Sequence, residues 1–134
     1  MTVKFSVQVV DGFLDSIEST IGSSPNLVMY SGIGPAQTTD APVNPVLLTM
    51  PLPSDWMLAS SGGQKVLKGT WTATASGTGI VGHYRIYDQP MAICHEQGTV
   101  TFVGGNGDIT LDNTNVATGQ AVTIVSKTLS SSNL

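Results

Sequence analysis

Residues 78–88, Thr-Gly-Ile-Val-Gly-His-Tyr-Arg-Ile-Tyr-Asp, constrain this chain more than any other stretch. A strand sends alternate side chains to opposite sides, so Ile80, Gly82, Tyr84 and Ile86 share one face. Val81, His83, Arg85 and Tyr87 share the other. Both faces carry apolar or aromatic groups, which places the segment inside a sheet and not at its rim. Asp88, Gln89, Pro90 and Met91 supply a turn, with Pro90 presetting one dihedral. Residues 91–95 then run back along the strand, and a turn centred near Gln89 brings His95 opposite His83.

Around that hairpin the chain has a helix first and strands after. Val10, Phe13, Leu14, Ile17 and Ile21 recur at helical spacing, with Asp11, Asp15 and Glu18 on the other side. Gly22 and the following Ser23, Ser24 and Pro25 end the helix, so it is expected over residues 10–22. Before it, Val3, Phe5, Val7 and Val9 alternate, which suits an extended arm over residues 1–9 that pairs with a neighbouring subunit.

From Asn26 onward the period changes to two. Strands are expected at residues 27–31, 46–50, 65–68, 70–74, 98–103, 108–111 and 121–128, besides the central hairpin. Residues 36–45 read as a surface loop and residues 129–134 as a flexible tail. Trp56, Met57 and Leu58 stand in an otherwise small, polar loop. Such groups either fold back as a lid on the core or face a partner. The lid is preferred, yet the three are carried as candidate contacts. Eight or nine short strands at this spacing, with no internal repeat, describe one mainly β domain over residues 1–134. The expected fold is an antiparallel, jelly-roll-like β-sandwich with one short N-terminal helix.

Composition then narrows the function. Charged residues are 10% of the 134, against roughly 25% in an ordinary soluble domain. A surface so poor in charge suits a protein with neighbours. Five Lys and Arg residues and a net charge of −4 cannot form a phosphate-binding stripe, so no nucleic-acid partner is expected. No apolar run is long enough to span a bilayer, and the N-terminus lacks a secretory pattern. A single cysteine, Cys94, excludes an internal disulfide and fits folding in a reducing cytosol.

Three patterns tempt a chemical reading. Gly77, Gly79 and Gly82 match the dinucleotide fingerprint in letters, but a strand follows where a helix is required. Residues 104–108, Gly-Gly-Asn-Gly-Asp, match part of one calcium-binding repeat without the stacked copies such sites need, and suit a tight turn. Cys94 and His95 are adjacent on a strand and point to opposite faces, so they make no nucleophile–base pair. Two histidines without a third ligand make a poor zinc site. No enzyme, metal or cofactor is expected.

The order of elements carries a resemblance. It runs from the amphipathic helix around residues 13–17 through residues 27–35, Leu-Val-Met-Tyr-Ser-Gly-Ile-Gly-Pro. It continues through residues 75–88, 97–100, 107–112 and 119–124. In this the chain resembles small virion proteins of tailed phages and prophages. It is similar to those capsid cement, or decoration, proteins that have a jelly-roll-like β fold and assemble as small homo-oligomers on the shell. The resemblance implies a bacteriophage structural protein that binds across capsomer boundaries, with itself, as dimer or trimer, and the major capsid protein as partners. It implies a place on the capsid exterior after a stay in the host cytoplasm. The candidate contacts are Val3, Phe5, Val7, Trp56, Met57 and Leu58. Two rivals stand beside it: a tail or head–tail junction component, and a carbohydrate-binding β-sandwich using Trp56 or Trp71 as an aromatic platform.

Overall fold

The computed structural model of the protein describes residues 3–134. Helix α1 (Val7–Ile21) leads into β1 (Asn26–Ser31), β2 (Val46–Pro51), β3 (Gln64–Val66), β4 (Thr72–Thr74) and β5 (Gly79–Tyr87). There follow β6 (Cys94–Phe102), β7 (Ile109–Leu111), β8 (Asn115–Val116), β9 (Ala121–Thr123) and β10 (Ser126–Ser130), then a 3-10 turn, Ser131–Asn133. The domain is mainly β, sandwich-like, with a single helix at its N-terminal end, as the sequence led us to expect.

The larger sheet runs β2-β1-β5-β6-β7-β10-β3, and β8 pairs with the start of β5. β4 and β9 form a separate two-stranded sheet. β5 lies between β1 and β6, the interior place its two apolar faces require. Tyr84 and Ile86 are buried on one face, His83 and Arg85 on the other. The core gathers under α1 around Leu14, Ile21, Leu27 and Met29, with Trp56 and Trp71 tilted together at 5.9 Å between ring centroids.

Several expectations are corrected. α1 starts at Val7 and not at residue 10, because Ser6 caps it: the Ser6 hydroxyl accepts from the Val9 N–H at 3.2 Å. An apolar repeat locates a helix face, whereas the cap sets its start. The extended arm is therefore shortened. Val7 and Val9 are helical, Val3 and Phe5 precede the helix without regular structure, and Met1 and Thr2 lie outside the described residues. Gly22, at φ +93°, ends the helix as expected.

The last strand is two. β9 pairs with β4, and at Ile124 and Val125 the chain changes sheets so that β10 pairs with β7 and β3. Leu129 is buried and paired opposite Lys65, so residues 129–134 are not a free tail. The sheet is also not wholly antiparallel. β6 and β7 are parallel, with Val100 opposite Ile109 and Phe102 opposite Leu111. The short return between them, residues 103–108, turns at Gly104 (φ +93°) and Asn106 (φ +64°), conformations in which glycine and asparagine cost least.

The central hairpin has a different register from the expected one. His83 lies opposite Thr99, and Tyr87 opposite Cys94. The turn is displaced toward Met91 because the Asp88 carboxylate accepts from the N–H groups of Ala92 and Ile93, at 2.7 and 3.1 Å. His95 therefore does not face His83.

Candidate functional site

Among the six residues picked as contacts, the structure separates two groups. Trp56 and Met57 are 0% and 2% exposed and belong to the core, so the lid reading holds and neither is open to a partner. The Trp56 indole N–H donates to the Gly22 carbonyl at 3.0 Å, which ties the loop to the end of α1. Val3, Phe5, Val7 and Leu58 are exposed. Phe5 packs edge-on against Phe13 at 5.6 Å, and Val9 and Phe13 are exposed one helical turn apart. The surface that emerges is an apolar flank of Phe5, Val9 and Phe13 at the start of α1, with Val3 exposed just before it; Val7, two residues from Val9, points to a different side of the helix. In the sequence Phe13 was legible only as a helix residue and Val9 only as part of the extended arm, since periodicity alone does not say which helix residues the core will cover.

The helix that carries this surface is fixed by its acidic side, Asp11, Asp15 and Glu18. The Asp11 carboxylate accepts from the Gly63 N–H at 2.9 Å, and Glu18 from the Met57 N–H at 3.0 Å. Asp15 accepts from the Ser60 N–H at 2.9 Å and pairs with the Lys65 ammonium at 2.7 Å, while Glu18 pairs with the same ammonium at 3.0 Å. The hydrogen bonds from Lys65 and Ser60 hold the Asp15 carboxyl below its usual range. Burial of Lys65 opposes its charge, but the hydrogen bonds to Asp15 and Glu18 outweigh it and raise the ammonium pKa. α1 is thus clamped along one flank, packed through Leu14 and Ile21 on another, and open on the third. A rigid helix with one apolar flank open is suited to burial against another protein.

Buried polar networks lie on both faces of β5. On one, the Lys127 ammonium is fully buried, pairs with Glu96, and donates to the Tyr84 hydroxyl at 3.0 Å. The Tyr84 hydroxyl donates in turn to Glu96 at 2.5 Å. Burial, and then the Glu96 charge, push the Tyr84 phenol well above its ordinary pKa. On the other face Arg85 is buried beneath the loop before β2. Its guanidinium donates to the carbonyls of Gln37, Thr38 and Asp40, at 3.2, 2.9 and 2.9 Å. The Gln97 amide donates to the Pro35 carbonyl at 2.7 Å, so residues 32–40 form a strap over the sheet. Gly82 permits the crossing, since a Cβ there would lie 2.2 Å from the Gly32 carbonyl oxygen. The third glycine of the dinucleotide-like pattern therefore serves packing.

These networks account for three of the five basic residues, Lys65, Arg85 and Lys127, each of them buried. Only Lys4 and Lys68 remain on the surface, which leaves still less for a phosphate backbone to meet. Cys94 is half-buried, burial raises its thiol pKa, and its Sγ donates to the Glu96 carbonyl at 3.4 Å. A thiol so placed is a weak nucleophile. Among the described residues no group of three His, Cys, Asp or Glu is arranged to hold a metal ion. No described helix is long and apolar enough to cross a membrane. Trp56 and Trp71 are both buried, so neither provides the exposed platform on which the carbohydrate rival depends.

Comparison of the chain with protein-family models, with curated proteins and with solved structures returns no match. Fold and surface together define a mainly β, sandwich-like domain that presents an apolar flank of its one helix.

Proposed function

We propose that the chain is a bacteriophage structural protein, a capsid cement or decoration protein that stabilises the head shell by binding across capsomer boundaries. In this reading it works as a small homo-oligomer, a dimer or trimer, on the capsid exterior, against the major capsid protein, after synthesis in the host cytoplasm. The jelly-roll kinship belongs to the same proposal.

One observation carries it on the physical side: Phe5, just before the helix, packs on Phe13 of its open flank, and the two are 60% and 44% exposed while the other flanks are fixed. A large apolar side chain gains about 1.5–3 kcal/mol when a partner covers it fully. Multiplied over a lattice, modest gains per copy stabilise the assembled shell by linkage, because only the assembly offers the site. The resemblance in element order supplies the biological setting, and the charge-poor surface agrees with it.

The test is a triple variant, Val3→Ser, Phe5→Ser and Phe13→Gln, which spares the Ser6 cap and the acidic clamp. Its circular dichroism should match that of the parent. Its oligomeric mass by light scattering, or its co-sedimentation with capsids, should fall at least about tenfold in affinity. Retention of both the mass and the place on the shell would end the proposal. Electron microscopy of virions separates the shell from the remaining rival, a tail or head–tail junction component.

A further inference from the structure

His83 is buried on the strap face of β5, and its two ring nitrogens are in different positions. Nδ1 lies 2.9 Å from the Gly32 carbonyl oxygen. A carbonyl only accepts, so Nδ1 carries the proton and the neutral ring presents Nε2 as a lone-pair acceptor. Tyr30 stacks on the ring at 4.9 Å between centroids, with 8° between planes, and holds it in place. Nε2 is buried and has no hydrogen-bond partner. Native interiors rarely leave such an acceptor unpaired, and each instance calls for a specific account.

A cavity of about 200 Å³ lies beside the ring, walled by Ile33, Gly34 and Pro35 of the strap and by Gln97, Gly98 and Thr99 of β6. An enclosed cavity of about 150 Å³ is enough for benzene, and this pocket, open to solvent on one side, matches a single ring in size. Ile33 stands at it 89% exposed, the most exposed large apolar side chain described in this protein. The Gln97 amide is already engaged by Arg85 and Pro35, and the Thr99 hydroxyl by Asp108, whereas His83 Nε2 is a buried side-chain atom with no partner at all. Gly34 lies close against the imidazole: a Cβ there would be 2.9 Å from His83 Cδ2 and 3.5 Å from Nε2. The strap covers Nε2 only because that residue is glycine.

We propose that this pocket binds a mainly apolar ring carrying one hydrogen-bond donor, a phenol being the simplest member, whose hydroxyl donates to His83 Nε2 as the backbone at Gly34 moves aside, with Gly32 still holding Nδ1. The walls supply apolar contact, and the orphaned nitrogen supplies the single directional bond. The site stands apart from the helix flank and does not depend on the proposed virion role. The same chemistry is offered by a free phenol and by a tyrosine side chain of another chain.

The experiment titrates the intact protein with p-cresol, with toluene as the ring without a donor, and with N-acetyltyrosinamide as the side chain with its backbone. The readout is the Nε2 nitrogen chemical shift of His83. p-Cresol should bind about fivefold more tightly than toluene, the worth of one neutral hydrogen bond, and should move the Nε2 resonance. Binding of N-acetyltyrosinamide as well assigns the site to a presented side chain, and binding of p-cresol alone assigns it to a free phenol. In His83→Phe, which keeps the stack on Tyr30, the preference for p-cresol over toluene should vanish. Equal affinity for the two rings in the parent protein, or an unmoved Nε2 resonance, overturns the proposal without reference to the variant. So does a crystal structure in which an ordered water occupies Nε2 and p-cresol fails to displace it.

Discussion

β5 buries a cation on each of its faces and compensates them by different means. Toward the core, Lys127 meets a formal charge, Glu96, and the Tyr84 hydroxyl bridges the pair. Toward the strap, Arg85 meets no carboxylate among the described residues. Its partners are three backbone carbonyls, the Gln97 amide oxygen at 3.3 Å and the Tyr87 hydroxyl at 3.3 Å. The two residues suit their tasks. A lysine ammonium is a compact point charge that pairs with one carboxylate, whereas a guanidinium spreads five donors over several acceptors in a plane. The difference also divides their roles. The Lys127–Glu96 pair joins β10 to β6 within the sheet, while Arg85 satisfies the carbonyls of a segment that has no strand partner of its own.

The largest effect should come from breaking the charged side of this comparison. Glu96→Gln leaves Lys127 buried without a counter-charge, and should cost about 3–5 kcal/mol in urea unfolding. Replacing the pair whole, Glu96→Met with Lys127→Met, should restore most of that loss, because a buried pair replaced by apolar groups is often neutral. A Glu96→Gln cost below about 1 kcal/mol would mean that the ammonium is solvated after all.

Arg85→Met comes second and acts on the other face. Three strap carbonyls lose their donor, but the strap can lift and rehydrate them, so the cost should be about 2–3 kcal/mol. Hydrogen exchange should speed up at residues 32–40 and stay slow in β1 and β6. Uniform acceleration across the sheet would show that Arg85 supports the core and not the strap.

How far these networks were legible follows from the same contrast. The place of β5 in the sheet was readable, because Tyr84, Ile86, His83 and Arg85 load both faces within four residues. So were the helix face of Leu14 and Ile21 and the stop at Gly22. The partners of the buried cations were not. Glu96 and Lys127 are 31 residues apart, and Arg85 and Asp40 are 45 apart, separations at which no local pattern couples residues. The Asp11, Asp15 and Glu18 flank had the spacing of a solvated face, and only the loop from Trp56 to Lys65, folding back, turned it into a clamp. The register of the β5–β6 hairpin was lost to one side chain, Asp88, which pulled the turn toward Met91. Of the candidate surface, Phe5 and Val3 came from the sequence, Val9 and Phe13 from the structure.

A third cation sharpens the comparison, because its partners are unequally exposed. Lys65 is buried, yet the Asp15 side chain is half exposed and that of Glu18 about one-fifth. Asp15 has a lowered folded pKa, so its contribution is present above the unfolded value near 3.8 and is lost as pH falls through the folded one. Lys65 has a raised folded pKa, so its contribution is present below the unfolded value near 10.5 and is lost as pH rises through the folded one. Thermal melts of the parent should therefore hold between those limits and fall off outside them. In Lys65→Met the acid limb should flatten, since Asp15 no longer gains from its charge. An unchanged acid limb would place the sensitivity in another carboxylate.

The smallest effect is expected at Cys94, just past the Arg85 network. It pairs with Tyr87 across the hairpin end, is half-buried, and makes one long contact, Sγ to the Glu96 carbonyl. Serine is slightly smaller and keeps a donor at the same place, so Cys94→Ser removes neither a network member nor a fully buried apolar group. Its cost should stay below about 1 kcal/mol, well under the large losses that follow truncation in a closed core. The backbone at this point is held independently by Asp88, whose N–H donates to the Ile93 carbonyl at 3.1 Å and whose carboxylate secures the turn. Association should be unaffected, since the exposed helix flank does not include Cys94. A loss above about 3 kcal/mol, or a change in oligomeric mass, would show that the hairpin end carries strain or contact that its open geometry does not suggest.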